Sequence, residues 1–123
     1  MHNTLLVLGA SRDQVFLIKT AQAMGLRVLT VDMNPNSIGF RVANDYAVIS
    51  TRDIPTLREF LDDYRRKGNR VVGVITMGSE IPEIIAVLNQ YLGTSGISLD
   101  SARIATNKYE MKVRFREKGI PIP

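Results

Sequence analysis

Apolar positions come in blocks along this chain, and the period changes from block to block. Thr4–Leu8 is an aliphatic run closed by Gly9, the pattern of a short strand buried on both faces. From Asp13 to Met24 the period lengthens. Val15, Ile18 and Ala21 fall on one side of a helix, and Gly25 supplies its stop. Arg27–Val31 is a second buried strand with Asp32 at its end, and Asn34-Pro35-Asn36-Ser37 has the chemistry of a turn. Tyr46–Ile49 reads as a short third strand.

Asp53 is a good N-cap for a helix with Pro55 in its first turn. Leu57, Phe60, Leu61 and Tyr64 then recur at i, i+3, i+4 and i+7, up to Gly68. Val71–Ile75 is a fourth strand. Ser79 is placed to cap the next helix, which carries Ile81, Ile84, Ile85, Leu88 and Leu92 and ends at Gly93. Ser98–Ala105 reads as a short helix with Asp100 near its cap. In the last stretch Tyr109, Met111, Val113 and Phe115 alternate with charges, which by period alone says strand. The capping-box spacing of Asn107 and Glu110, the helix-favouring Glu, Met, Lys and Arg, and the stop at Gly119 and Pro121 favour helix. A helix with apolar groups on two sides implies a position between this domain and further polypeptide.

Strands alternating with helices predict an α/β fold: an open parallel sheet of about four strands with helices on both faces, Rossmann-like. Ligands in such sheets bind outside the carboxyl ends of the strands. That directs attention to the loops Gly9–Arg12, Asp32–Pro35, Ser50–Asp53 and Thr76–Glu80.

Length and composition narrow the class. The 123 residues suit one domain, and 45% of them are hydrophobic, enough for an ordinary core. With no cysteine there is no disulfide framework and no thiolate chemistry. No segment approaches the ~20 apolar residues of a membrane span, and the expected location is cytoplasmic. The net charge of +4 is concentrated in Arg65, Arg66, Lys67 and Arg70 and in Lys108, Lys112, Arg114, Arg116 and Lys118. No aromatic residues interleave in a stacking pattern, so solvated helix ends are favoured over a nucleic-acid surface. Neither nucleic acid nor membrane is an expected partner; an acidic or phosphorylated small molecule suits the charge.

Catalytic machinery is hard to find. His2, the only histidine, lies in a terminus expected to be poorly ordered. No nucleophile–base constellation or metal-ligand cluster of His or Cys can be assembled. In Gly9-Ala10-Ser11-Arg12 a glycine and a helix N-terminus offer an anion free N–H groups, or simply permit a tight turn. Ser11 and Gln14 stand where a dinucleotide fingerprint has its second and third glycines. Asp32 occupies the place of a ribose-binding carboxylate, but capping the Asn34-Pro35 turn is the favoured role. Glu80 either complements a helix dipole or binds a substrate amine or hydroxyl.

Four stretches together resemble the N-terminal domain of ATP-grasp enzymes of the biotin carboxylase and carbamoyl-phosphate synthetase kind. They are Leu5-Leu6-Val7-Leu8-Gly9-Ala10-Ser11; Gly25-Leu26-Arg27-Val28 through Val31-Asp32-Met33-Asn34-Pro35; Arg41-Val42-Ala43-Asn44-Asp45; and Thr106-Asn107-Lys108-Tyr109-Glu110-Met111-Lys112 through Gly119-Ile120-Pro121-Ile122-Pro123. The last is similar to the family's passage into its ATP-binding half, with Asn107 in place of the usual Asp. The resemblance implies a pre-ATP-grasp α/β domain over residues 1–105 and a junction helix over 106–123 leading to an ATP-grasp domain not contained here. It implies that Lys108 contacts ATP phosphates, and that Gly9, Ala10, Ser11 and Glu80 hold the acceptor substrate. The family activates a carboxylate as an acyl phosphate with Mg-ATP and transfers it to an amine, often as a dimer. This stretch alone is then expected to be inactive, with no tightly bound cofactor. The alternatives are a free-standing Rossmann-like nucleotide or NAD(P) binder along Gly9–Asp32, and a non-enzymatic association module using an apolar patch near Tyr109–Phe115.

Overall fold

The structure is a computed structural model, and it describes residues 2–77, 81–99 and 108–122. The elements run β1 (His2–Leu8), α1 (Arg12–Ala23), β2 (Arg27–Asp32), a 3-10 turn (Ile38–Arg41), β3 (Asp45–Val48), α2 (Ile54–Arg66), β4 (Asn69–Met77), α3 (Pro82–Leu92), β5 (Ser95–Leu99) and α4 (Lys108–Glu117). All strand pairings are parallel, in the order β3-β2-β1-β4-β5.

The chain starts in the middle of this sheet. It builds outward to β3, crosses back, and continues outward on the other side through β4 to β5. The direction of growth reverses between β1 and β4, which makes their carboxyl ends the topological switch point.

Side chains alternate along β1 and define two cores. Leu5 and Val7 join Leu17, Ile18 and Ala21 of α1 and Met111 and Phe115 of α4. Leu6 and Leu8 join Leu57, Leu61 and Tyr64 of α2 and Leu88 and Leu92 of α3. Each fully buried aliphatic side chain stabilises the fold by about 1.5–3 kcal/mol relative to exposure.

Several expectations change. The sheet has five strands rather than about four. The fifth, β5, begins where a loop was expected and overlaps the expected Ser98–Ala105 helix. Ile97 and Leu99 are buried on the sheet, and the backbone pairs from Gly73↔Ser95 to Met77↔Leu99. The remainder of that expected helix, with Asp100, lies outside the described residues, as does the boundary between 105 and 106. The Ser79 cap and Glu80 are outside them too; α3 starts at Pro82, with Ile81 as the flanking residue. His2 is not in a loose terminus. Its backbone pairs with Asn69 at the start of β1.

The final stretch is helical, as its capping and composition predict, and not a strand. Met111 and Phe115 point inward at 2% and 0% exposure, while Tyr109 faces out at 72%. The basic group around Arg65 sits at the C-terminal end of α2, where Arg66 and Lys67 pair with Asp63 at 3.6 and 3.0 Å. No helix among the described residues is long and apolar enough to cross a membrane.

Candidate ligand cleft at the carboxyl edge of the sheet

A cavity of about 290 Å³ opens at the switch point. Its wall includes Gly9, Ser11 and Gln14 from the β1–α1 connection, Asp32 from β2, Thr51 and Arg52 from the β3–α2 turn, and Thr76 from β4. The topology thus brings the first three predicted loops and the start of the fourth to one place.

The floor is held by hydroxyls and one carboxylate. Thr30 Oγ1 donates toward Val7 O (3.1 Å) and Gly9 O (2.6 Å). Thr76 Oγ1 donates to Leu8 O at 3.1 Å. Asp32 accepts from Ala10 N at 2.9 Å and from Asn34 N at 3.0 Å, one contact on each oxygen. The expected turn-capping role of Asp32 is therefore present, together with a tie to the β1–α1 loop that the sequence does not suggest.

From outside, Gly39 N donates to Ala10 O at 2.7 Å. A Cβ at position 39 would stand 2.7 Å from that same oxygen, so only glycine lets the 3-10 turn lie so close to the loop. Gly9 itself has φ +101°, a conformation side chains disfavour.

Gln14 folds back over this loop. It accepts from Ser11 N at 2.9 Å and meets the Ser11 hydroxyl as well. A Cβ on Gly9 would be 3.1 Å from its Nε2. A dinucleotide's pyrophosphate needs close backbone approach here, and its ribose needs a free carboxylate at the end of β2. Gln14 engages the Ser11 amide, and both Asp32 oxygens already accept main-chain N–H bonds. Part of what a dinucleotide would use is thus already engaged within the chain.

Of the predicted site residues, Gly9 and Ser11 line the cleft, and Ala10 is buried with its amide and carbonyl committed to the loop. Lys108 is elsewhere. Its Nζ donates to Ala23 O at 3.2 Å, at the C-terminal end of α1, whereas the cleft sits at that helix's N-terminal end. The intervening length is about 18 Å at 1.5 Å per residue. α1 has no basic residue in its own last turn, so Lys108 supplies the cation that a helix C-terminus favours. Arg52 and Gln14 were not singled out from sequence as ligand contacts. The available signal for Arg52 was a lone cation just before the Asp53 cap, at the carboxyl end of a strand. Among the described residues no group of three or more His, Cys, Asp or Glu could hold a metal ion.

Fold and cleft together define an open parallel α/β domain with a crevice at its switch point. No protein-family model matches the sequence, nor does any curated protein. Solved structures do match. Phosphoribosylglycinamide synthetase from Anaerococcus prevotii has a TM-score of 0.63 at 21% identity, over 95% of this chain and 29% of its own. N5-carboxyaminoimidazole ribonucleotide synthetase from Thermotoga maritima gives 0.57 at 20%, over 98% and 32%. N5-carboxyaminoimidazole synthetase from Staphylococcus aureus complexed with ADP gives 0.58 at 15%, over 85% and 26%. The chain thus spans less than a third of the length of each of these three, and it has the fold of the N-terminal region of ATP-grasp ligases.

Proposed function

We propose that this chain is the N-terminal, substrate-side domain of an ATP-dependent carboxylate–amine ligase of the ATP-grasp kind, and that it is not catalytic by itself. The observation that carries this reading is the near-complete coverage of this chain, 95% and 98%, against only 29% and 32% of the two synthetases. The cleft at the switch point supports it, because a substrate held there lies at the mouth of the sheet, open to a second domain. The chemistry of such ligases joins a carboxylate, activated as an acyl phosphate, to an amine. In this reading the ATP pocket and the magnesium-binding acids belong to polypeptide beyond these residues.

Gly9, Ala10, Ser11 and Glu80 are proposed to hold the acceptor. Lys108 is proposed to contact ATP phosphates, for which it must leave Ala23 O; an exposed contact with a helix terminus is worth only about 0.3–1 kcal/mol and can be exchanged. Tyr109, exposed beside it, lies on the surface a second domain would meet. The partners are that domain, a small-molecule acceptor and a second copy, in the cytoplasm.

Two measurements test this. Calorimetric titration of the 123-residue chain with Mg-ATP should show no tight binding; tight binding would overturn the division of labour. In the parent protein, ADP release should require a carboxylate and an amine acceptor together, and Lys108→Ala should raise KM for ATP. Acceptor-independent activity or an unchanged KM would count against the respective assignments.

A further inference from the structure

The cleft holds one cation among its described wall residues, and no described carboxylate forms an ion pair with it. Arg52 lines the cavity together with Gly9, Ser11 and Asp32. Arg27, Arg66 and Arg114 each pair with a carboxylate. Arg52, by contrast, has no side-chain hydrogen bond or ion pair among the described residues.

Its backbone is nevertheless fixed. Arg52 N donates to Ser50 Oγ at 3.2 Å, Asp53 N to Ser50 O at 3.1 Å, and Ile54 N to Arg52 O at 3.2 Å. Asp53 then caps α2 through Thr56 N and Thr56 Oγ1. This hydrogen-bonded turn places Arg52, whose side chain has no partner among the described residues, in the cavity wall.

The described carboxylates nearby are engaged by other donors. Asp32 already accepts a main-chain N–H on each oxygen, and Asp53 is engaged by Thr56. At the start of α1, where an anion docks in such a fold, the Ser11 amide is already taken by Gln14 Oε1. The cationic side chain that an oxyanion meets among the described wall residues is therefore Arg52. At about 290 Å³ the cavity is at the small end of ligand pockets and suits a metabolite of sugar-phosphate or amino-acid size.

We propose that Arg52 is the anion-recognising residue of the cleft and receives the carboxylate or phosphate group of an acidic acceptor substrate. This rests on reading the cleft as the acceptor site. It adds what that reading lacks, a charge requirement on the substrate. Guanidinium binds either oxyanion through paired N–H donors.

The test follows backbone amide shifts of the 123-residue chain by NMR at constant ionic strength. Ribose 5-phosphate is the probe in one arm and succinate in the other. Saturable shifts at Gly9, Ser11, Thr51 and Arg52 are expected, and the arm that gives them identifies phosphate or carboxylate as the preferred group. Arg52→Ala should weaken that binding about tenfold or more, the loss of a charge-assisted contact, and Arg52→Lys should restore part of it. Arg70→Ala, at an exposed arginine near the start of β4, should change nothing. Unchanged amide positions away from the cleft will show that Arg52→Ala folds. No saturable shift in either arm, equal binding by Arg52→Ala, or equal loss in Arg70→Ala would overturn the assignment. No nucleotide is present, so a negative titration removes the role of Arg52 and leaves the ligase reading to its ADP-release assay. Conversely, a parent that releases no ADP removes the ligase reading while a positive titration stands.

Discussion

Both oxygens of Asp32 are taken by main-chain amides, and the stability of the β1–α1 loop depends on that. Asp32→Ala should cost about 2–3 kcal/mol in urea denaturation, because two amides lose a charged acceptor. Asp32→Asn, which keeps one acceptor oxygen, should cost less. Gly39→Ala meets backbone rather than a yielding side chain, with Ala10 O 2.7 Å away and Ala10 C at 3.0 Å. We expect a loss of about 1–3 kcal/mol and displaced amide signals at Gly9 and Ser11. Tyr64 gives a pH signature. Its buried hydroxyl donates to Asp45 at 2.8 Å and is pushed up to about 12, by burial first, with the Asp45 hydrogen bond also raising it. An unfolded tyrosine titrates near pH 10, so above that pH the folded state keeps a proton that the unfolded state loses. The stabilisation is full below about pH 10 and disappears as pH rises through about 12. Denaturation measured across that window should show stability falling, with a shallower slope in Tyr64→Phe.

At the scale of elements, β5 and α4 are the informative cases. β5 docks on α3 through a glycine. A Cβ on Gly96 would lie 2.0 Å from Asn89 Nδ2 and 2.6 Å from Ile85 Cγ2. Gly96→Ala should destabilise the protein by about 1–3 kcal/mol or more and preferentially lower hydrogen-exchange protection in β5. That same glycine hid the strand from sequence reading. Ser95-Gly96-Ile97-Ser98-Leu99 has only alternate apolar residues set among weak strand formers, and its pairing with β4 comes from tertiary packing. The stripes in α2 and the aliphatic runs of β1, β2 and β4 were legible because burial on both faces or one face imposes an unbroken period. The approach of Gln14 and Gly39 to the β1–α1 loop was not legible, since it depends on contacts between elements. α4 was ambiguous by period and decided by capping and composition. Its Phe115 has 0% exposure in the core shared with α1, so Phe115→Ala should cost about 3–5 kcal/mol.

The whole molecule is a sheet with helices on both faces, α1 and α4 on one and α2 and α3 on the other, and with its candidate cleft at one edge. Lys108 and the basic end of α2 lie away from that edge, so the formal charge of +4 says little about the cleft. Arg52, in the cleft wall and without a side-chain partner among the described residues, says more. Sequence alone placed the loops together through the rule that parallel sheets bind at their carboxyl ends. Which side chains would be free and which already occupied could be read only once the hydrogen bonds were known.

The central position of β1 has a kinetic consequence. Its partners are β2, which follows closely, and β4, whose Thr76 reaches back to Leu8 across 68 residues. A growing chain can form the β1–β2–β3 half early, but the inner edge of that half stays open until β4 has been made. Closing such a long loop is entropically slow. Until then the most aliphatic strand has one unpaired side, which makes the interval before β4 docks the period of greatest risk of self-association.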